Sequence, residues 1–278
     1  MKYFSRDRFC NFNLHYDSFY SLEYFFRSMQ KLGVKNCELI AGHQSLYMDH
    51  ESIEDLTEVK RLRDETGVNI AVITAQNCRF PYQYAAKEKE LVEMTYAFFA
   101  NGLRMAAELG AKIYQCNTGW GYWNEPEEEG QKRAADMLRR LSEFAAQYGI
   151  CLACESLRPQ ESLIGWRLDQ IKKIYDMIGH PNFKILLDTT AMGVAGETID
   201  QWFDVFGKDV IHTHFVDATP YFHYAWGDGK RHLGKDLKTL YDRGYEGLIS
   251  EELTFGPYYQ HPFETDVKNL AAFSEYLY

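Results

Sequence analysis

Eight short apolar segments rich in β-forming residues recur along the chain, separated by stretches of which several show helical periodicity. The segments are FCNFNL, KNCELIA, VNIAVITA, AKIYQCN, ICLACES, FKILLDT, VIHTHFV and GLISEEL. The helix-like stretches include SLEYFFRSMQKLG, AKEKELVEMTYAFFANGLRMAAELG and EEGQKRAADMLRRLSEFAAQYG, with Gly33, Gly110 and Gly149 placed as helix stops. Alternating strands and helices leave two architectures, a (β/α)8 barrel and an open doubly wound sheet. No glycine-rich dinucleotide fingerprint follows the first segment, which weakens the open sheet. A (β/α)8 barrel takes about 250 residues. The 278 residues here carry no Pro- or Ser-rich linker, so a single α/β TIM-barrel domain over 1–278 is expected.

Charge and cysteine usage narrow the class. A formal net charge of −10 argues against nucleic acid as a partner, because affinity for phosphates comes from Lys and Arg. The opening MKYFSRDRFCNF lacks the apolar run of a signal peptide, and no stretch approaches a membrane span. Cys151 and Cys154 are three residues apart within one apolar run, where a strand points them to opposite faces. Buried free thiols in a reducing, cytoplasmic setting are therefore expected for the six cysteines.

Four acidic or imidazole side chains fall near the ends of four of the β segments: Glu155, Asp188, His214 and Glu252. Their spacings of 33, 26 and 38 residues match one strand-plus-helix unit each. A parallel barrel brings such residues to its C-terminal mouth, where barrel chemistry sits. Mixed carboxylate and imidazole donors suit a hard or borderline divalent metal. Alternation puts His212 and His214 on one face, and it sends Glu251 and Glu252 opposite ways without choosing between them. His223 is a candidate substrate contact near the mouth. Trp120, Trp123 and Trp166 follow strands four and five, where they would wall a pocket or simply pack. Glu38 is expected to organise the second strand through hydrogen bonds, and His43 and His50 lie in a polar loop.

The stretch CESLRPQES resembles the ExLxxxE segment of the ketose 3-epimerases of the xylose-isomerase-like barrel superfamily. The run HTHFVDA…FHYAWGDGKRHLGKDLKTLYDRGYEGLISEEL is most similar to the fructoselysine 3-epimerase branch, and weaker likeness includes Glu38 in CELIAG and the FPY segment at 80–82. This resemblance implies an isomerase that inverts C3 of a ketose or Amadori product through an enediolate. It implies Glu155, Asp188, His214 and Glu252 as metal ligands, Glu155 and Glu252 as the proton-transferring pair, and Glu161 as a substrate contact. Glu252 rather than Glu251 takes the ligand position. The cofactor implied is Mn²⁺ first, then Co²⁺, Mg²⁺ or Zn²⁺, and the assembly a homodimer or homotetramer. Two departures point away from free ketohexoses: Ala191 stands where tagatose- and psicose-type enzymes carry a histidine, and Pro220 where they carry an arginine. The His223, Tyr224, Gly227, Gly229 arrangement is shared with the fructoselysine branch. Three other readings remain: an aldose–ketose isomerase or inosose-type enzyme, an abasic-site endonuclease, and a non-catalytic sugar-binding barrel. The endonuclease needs more ligands and a basic face.

Overall fold

The alternation of apolar segments produces a closed barrel in the computed structural model, which describes residues 2–78, 81–219 and 221–278. Strands β1 (Phe9–Phe12), β2 (Asn36–Ala41), β3 (Asn69–Ala75), β4 (Ile113–Cys116), β5 (Cys151–Glu155), β6 (Phe183–Asp188) and β7 (Val210–His214) follow one another around the axis. A small antiparallel hairpin, β8 (Asp217–Ala218) and β9 (His223–Tyr224), intervenes before β10 (Leu248–Glu251) closes the barrel between β7 and β1. Every barrel pairing is parallel. All eight expected strands are present, so the open sheet is excluded. Phe80 and Pro220 lie outside the described residues.

The helices are α1 (Leu14–Asp17), α2 (Leu22–Leu32), α3 (Thr57–Thr66), α4 (Lys89–Leu109), α5 (Glu127–Ala146), α6 (Leu168–Ile178), α7 (Thr189–Val194), α8 (Ile199–Phe206), α9 (Leu233–Asp242) and α10 (Pro262–Ala272). Helix α2 starts where Ser21 accepts the Tyr24 N–H at 3.2 Å and stops at Gly33, whose φ of 71° suits a residue without Cβ. Helix α5 runs to Ala146 and closes in the same way: Gly149 takes φ of 64°, with Gly149 N–H to Ala146 and Ile150 N–H to Ala145.

The apolar core lies between the strands and the helix ring. Phe25, Phe26 and Met29 of α2 contribute, as do Phe98, Phe99 and Leu103 of α4, and Ile171, Ile174 and Ile178 of α6, all buried. Each side chain of this size contributes about 1.5–3 kcal/mol on burial. The six cysteines are free, but Cys78 and Cys151 are half-exposed rather than buried. Among the described residues no helix is long and apolar enough to cross a membrane.

The connection from β7 to α9 was not legible as an element. The buried Asp217 carboxylate organises it, accepting backbone N–H groups from Ala218 (2.8 Å), Gly227 (3.0 Å), Gly229 (2.8 Å) and Arg231 (2.8 Å). A Cβ on Gly229 would fall 2.3 Å from that carboxylate, so the bend needs glycine there. The fold built this way carries the β8–β9 hairpin over the barrel mouth. Asp217→Ala should lower unfolding free energy by about 2–4 kcal/mol, because several amides lose a charged acceptor. Urea denaturation checks this, and a loss below about 1 kcal/mol would contradict the anchoring role.

Candidate metal centre and active site

Strands β5, β6 and β7 end on Glu155, Asp188 and His214, and Glu252 follows β10 by one residue. Asp188 pairs with His214 and His214 with Ser250, so these positions share one level of the barrel. Ser250 points inward, its hydroxyl donating to Glu38 Oε2 at 2.8 Å. Alternation from Ser250 therefore sends Glu252 to the interior and Glu251 outward. Glu251 instead accepts from Asn11 and Asn269, behind the barrel wall. Burial, then the neighbouring Asp266 carboxylate, pushes Glu251 well above the usual carboxylate range.

The inward groups meet one another directly. His214 Nδ1 lies 2.6 Å from Glu155 Oε1 and 3.2 Å from Glu252 Oε2, while its Nε2 is 3.1 Å from Glu38 Oε1. His223 Nε2 lies 2.9 Å from Asp188 Oδ2 and 3.1 Å from Glu252 Oε2. The hairpin thus brings His223, only 5% exposed, into the carboxylate cluster instead of leaving it on a surface loop. Glu38 also accepts from His212 Nε2 at 2.9 Å and from the Thr74 hydroxyl. Gln115 donates to Glu155 Oε2 at 2.8 Å, and Phe12 stacks on the His214 ring at 5.7 Å between centroids.

The protein's own charges set distinct proton affinities. Burial raises Glu155 most, and the Glu252 and Asp188 charges add to it against His214, leaving it at about 7. Burial also opposes ionisation of Glu252, but His214 and His223 outweigh it and hold it below the usual range. Asp188 is lowered in the same way, its burial overcome by His223. Burial alone would lower both imidazoles. Glu155, Glu252 and Glu38 raise His214 well above its ordinary value, and Asp188 and Glu252 raise His223 to about 9. Glu38 stays far below the carboxylate range because His214 and His212 overcome its burial.

The remaining candidates form the rim. Glu161 is engaged by Arg158, whose Nε donates at 2.9 Å and whose backbone N–H donates at 3.0 Å. It lines a cavity of about 600 Å³ with Trp120 and Trp123, the latter 87% exposed. Trp166 is half-buried under the Arg167 guanidinium. His43 is held by the buried Asp17, and His50 lies 2.6 Å from the Tyr82 hydroxyl. Three contributors escaped sequence reasoning: Gln115, Ser250 and Arg158, whose guanidinium lies in the field of Asp188 and Glu252. Arg158 could have been found from its place three residues before Glu161, a spacing that suits a local ion pair.

Three buried or nearly buried carboxylates at one point are costly unless cations neutralise them. His214 presents Nδ1 to that point while Glu38 holds its other nitrogen, the arrangement expected of a metal-ligating imidazole. The donor set of Glu155, Asp188, His214 and Glu252 therefore fits a divalent cation.

Comparison with known proteins agrees with this architecture. The family model described as a xylose isomerase-like TIM barrel matches residues 26–273. Fructoselysine 3-epimerase of Escherichia coli O157:H7 is 24% identical over 234 residues, covering 84% of this chain and 85% of that protein. Among solved structures, D-psicose 3-epimerase from Clostridium cellulolyticum H10, with D-tagatose, superposes with a TM-score of 0.79 at 15% identity, covering 96% of this chain and 98% of that one. The IOLI protein with a bound zinc atom gives 0.77 at 19% identity, covering 97% and 99%. The two superpositions establish likeness of fold.

Two outcomes follow for cation binding. Glu38→Gln should weaken Mn²⁺ affinity about 10–100-fold, because the imidazole loses the carboxylate that orients it. Isothermal titration reads this, and unchanged affinity would remove Glu38 from the site. A cation must also displace the proton that His214 holds above its ordinary pKa. Affinity should therefore rise with pH, by at least about tenfold from pH 6 to pH 8; a flat profile would contradict the assigned ligand.

Proposed function

We propose a function from a plain premise: the chain belongs to the xylose isomerase-like TIM barrel family, and two carboxylates with unlike proton affinities converge at its mouth. The reading is a metal-dependent sugar epimerase that inverts C3 of a ketose or an Amadori product of the fructoselysine type. One observation carries it. Glu155 and Glu252 approach His214 Nδ1 from β5 and from beyond β10, strands separated by β6 and β7 in the barrel order. A sugar carbon between them has one carboxyl group on each side.

Epimerisation breaks the C3–H bond and places the proton on one carboxylate, while the electron pair passes into the enediolate. The other carboxyl group returns a proton from the opposite face, and the centre inverts. In the cation-free site Glu155 lies near 7 and Glu252 below the usual carboxylate range, so the two differ in proton affinity. Carboxyls whose environments push them apart suit paired acid and base roles. A divalent cation held by Glu155, Asp188, His214 and Glu252, Mn²⁺ first among the metals these donors suit, would polarise the carbonyl and offset enediolate charge. Gln115 fixes the Glu155 carboxylate by donating to Oε2, and Oε1 faces His214 Nδ1. The rim cavity of Trp120 and Glu161 suits the part of the substrate beyond the reacting carbons.

Proton exchange followed by NMR in D₂O tests the reading, with Mg²⁺ in place of Mn²⁺ to limit line broadening. Fructoselysine, psicose, tagatose and fructose are compared in parallel. Deuterium should enter C3 with inversion, and Glu155→Gln and Glu252→Gln should each lower kcat by about 10³-fold or more. Exchange at C1 would make the chain an aldose–ketose isomerase. A near-wild-type rate in either variant would remove the two-carboxylate assignment.

A further inference from the structure

We propose that the rim cavity beside the metal centre is a subsite for an uncharged glycosyl group, so that the substrate is a ketose carrying a second sugar. The inference rests on the epimerase reading above and deepens it. Of that reading's two substrate classes it favours the ketose, in glycosylated form, over an amine-bearing Amadori product.

Two neighbouring loops at the mouth build the cavity. The loop after β4 carries Trp120 and Trp123, and the loop after β5 carries Pro159, Gln160, Glu161 and Leu163. Leu163 N–H donates to the Trp120 carbonyl at 2.8 Å and the Ser162 hydroxyl to the Gly119 carbonyl at 2.7 Å, so the two loops are held as one wall. Arg158 joins this wall to the metal centre. Its guanidinium grips Glu161 and also donates to the Tyr221 carbonyl, in the hairpin segment that delivers His223. The cavity of about 600 Å³ falls in the range of about 300–1,000 Å³ that takes drug-sized ligands, more space than a free hexose fills.

The chemistry of the lining selects the occupant. Among its described residues only Glu161 is ionisable, and Arg158 engages both of its oxygens. No lining side chain remains to neutralise an ammonium or a carboxylate on a substrate tail, and bringing such a charge against apolar walls is costly. A sugar meets no such penalty. The indole faces of Trp120 and Trp123 suit the C–H face of a pyranose. The two indole N–H groups and the Gln160 amide are engaged by no other described residue, which leaves neutral partners for its hydroxyls. Trp123 is 87% exposed, so a ring face is open to a ligand.

Isothermal titration of the Mg²⁺-loaded chain compares fructose with two glycosylated ketoses, isomaltulose and lactulose, and with fructoselysine. At least one disaccharide should bind about tenfold more tightly than fructose, the effect of one good aromatic contact, and fructoselysine should show no such gain. Trp123→Ala, which removes an exposed ring and spares the core, should bring the disaccharide and fructose affinities to within about threefold of each other. Absence of the gain, an equal or larger gain for fructoselysine, or an unmoved ratio in Trp123→Ala would each overturn the subsite. Deuterium exchange at C3 without the gain would leave the epimerase standing. The gain without any C3 exchange would keep the subsite and remove the epimerase.

Discussion

The Glu38 carboxylate, fully buried inside the barrel, is the constraint on which the site depends. A charge there is tolerable only because it is saturated with donors: His212 and His214 from β7, Ser250 from β10 and Thr74 from β3. Three strands are thereby tied to one residue of a fourth, β2. Barrel interiors are usually packed with branched apolar side chains, so this polar layer is a departure with a consequence. It holds His214 with Nδ1 toward the mouth, where Glu155 and Glu252 converge.

Above that layer, electrostatics organise the mouth. Carboxylates from three strands face two imidazoles, and each imidazole stands between two of the carboxylates. The result is a dense field of alternating charge in a region largely shielded from water, where such groups interact strongly. The hairpin completes this arrangement. Asp217 spends its carboxylate on backbone amides and takes no part in the cluster, yet it places the chain segment from which His223 descends. One aspartate thus acts through geometry while another, Asp188, acts through charge.

Much of this was legible before folding. Strand positions followed from apolar runs, and Glu155, Asp188, His214 and Glu252 followed from their strand-plus-helix spacing. Alternation failed at Glu251 and Glu252 because two adjacent carboxylates give no internal sign of which face is buried. Ser250 answers that from the structure, by donating to Glu38. Gly33, Gly110 and Gly149 were legible as helix stops because the left-handed backbone each adopts costs a residue without Cβ little. Arg158 was overlooked because an arginine in a loop reads as solvated, whereas its guanidinium is locked onto Glu161.

By itself, then, the sequence determined the alternating elements, the barrel they close into and the four ligand-type residues at strand ends, since each depends on local periodicity. Tertiary structure alone decided that Glu38 would orient His214 from another strand, and that His223 would leave its loop to face Asp188 and Glu252. It alone decided that Glu161 would be shared with Arg158 at a rim walled by Trp120. These are contacts between residues up to 176 positions apart. They exist because closing the barrel sets the strand register and brings distant side chains to a common level, information that no local pattern contains.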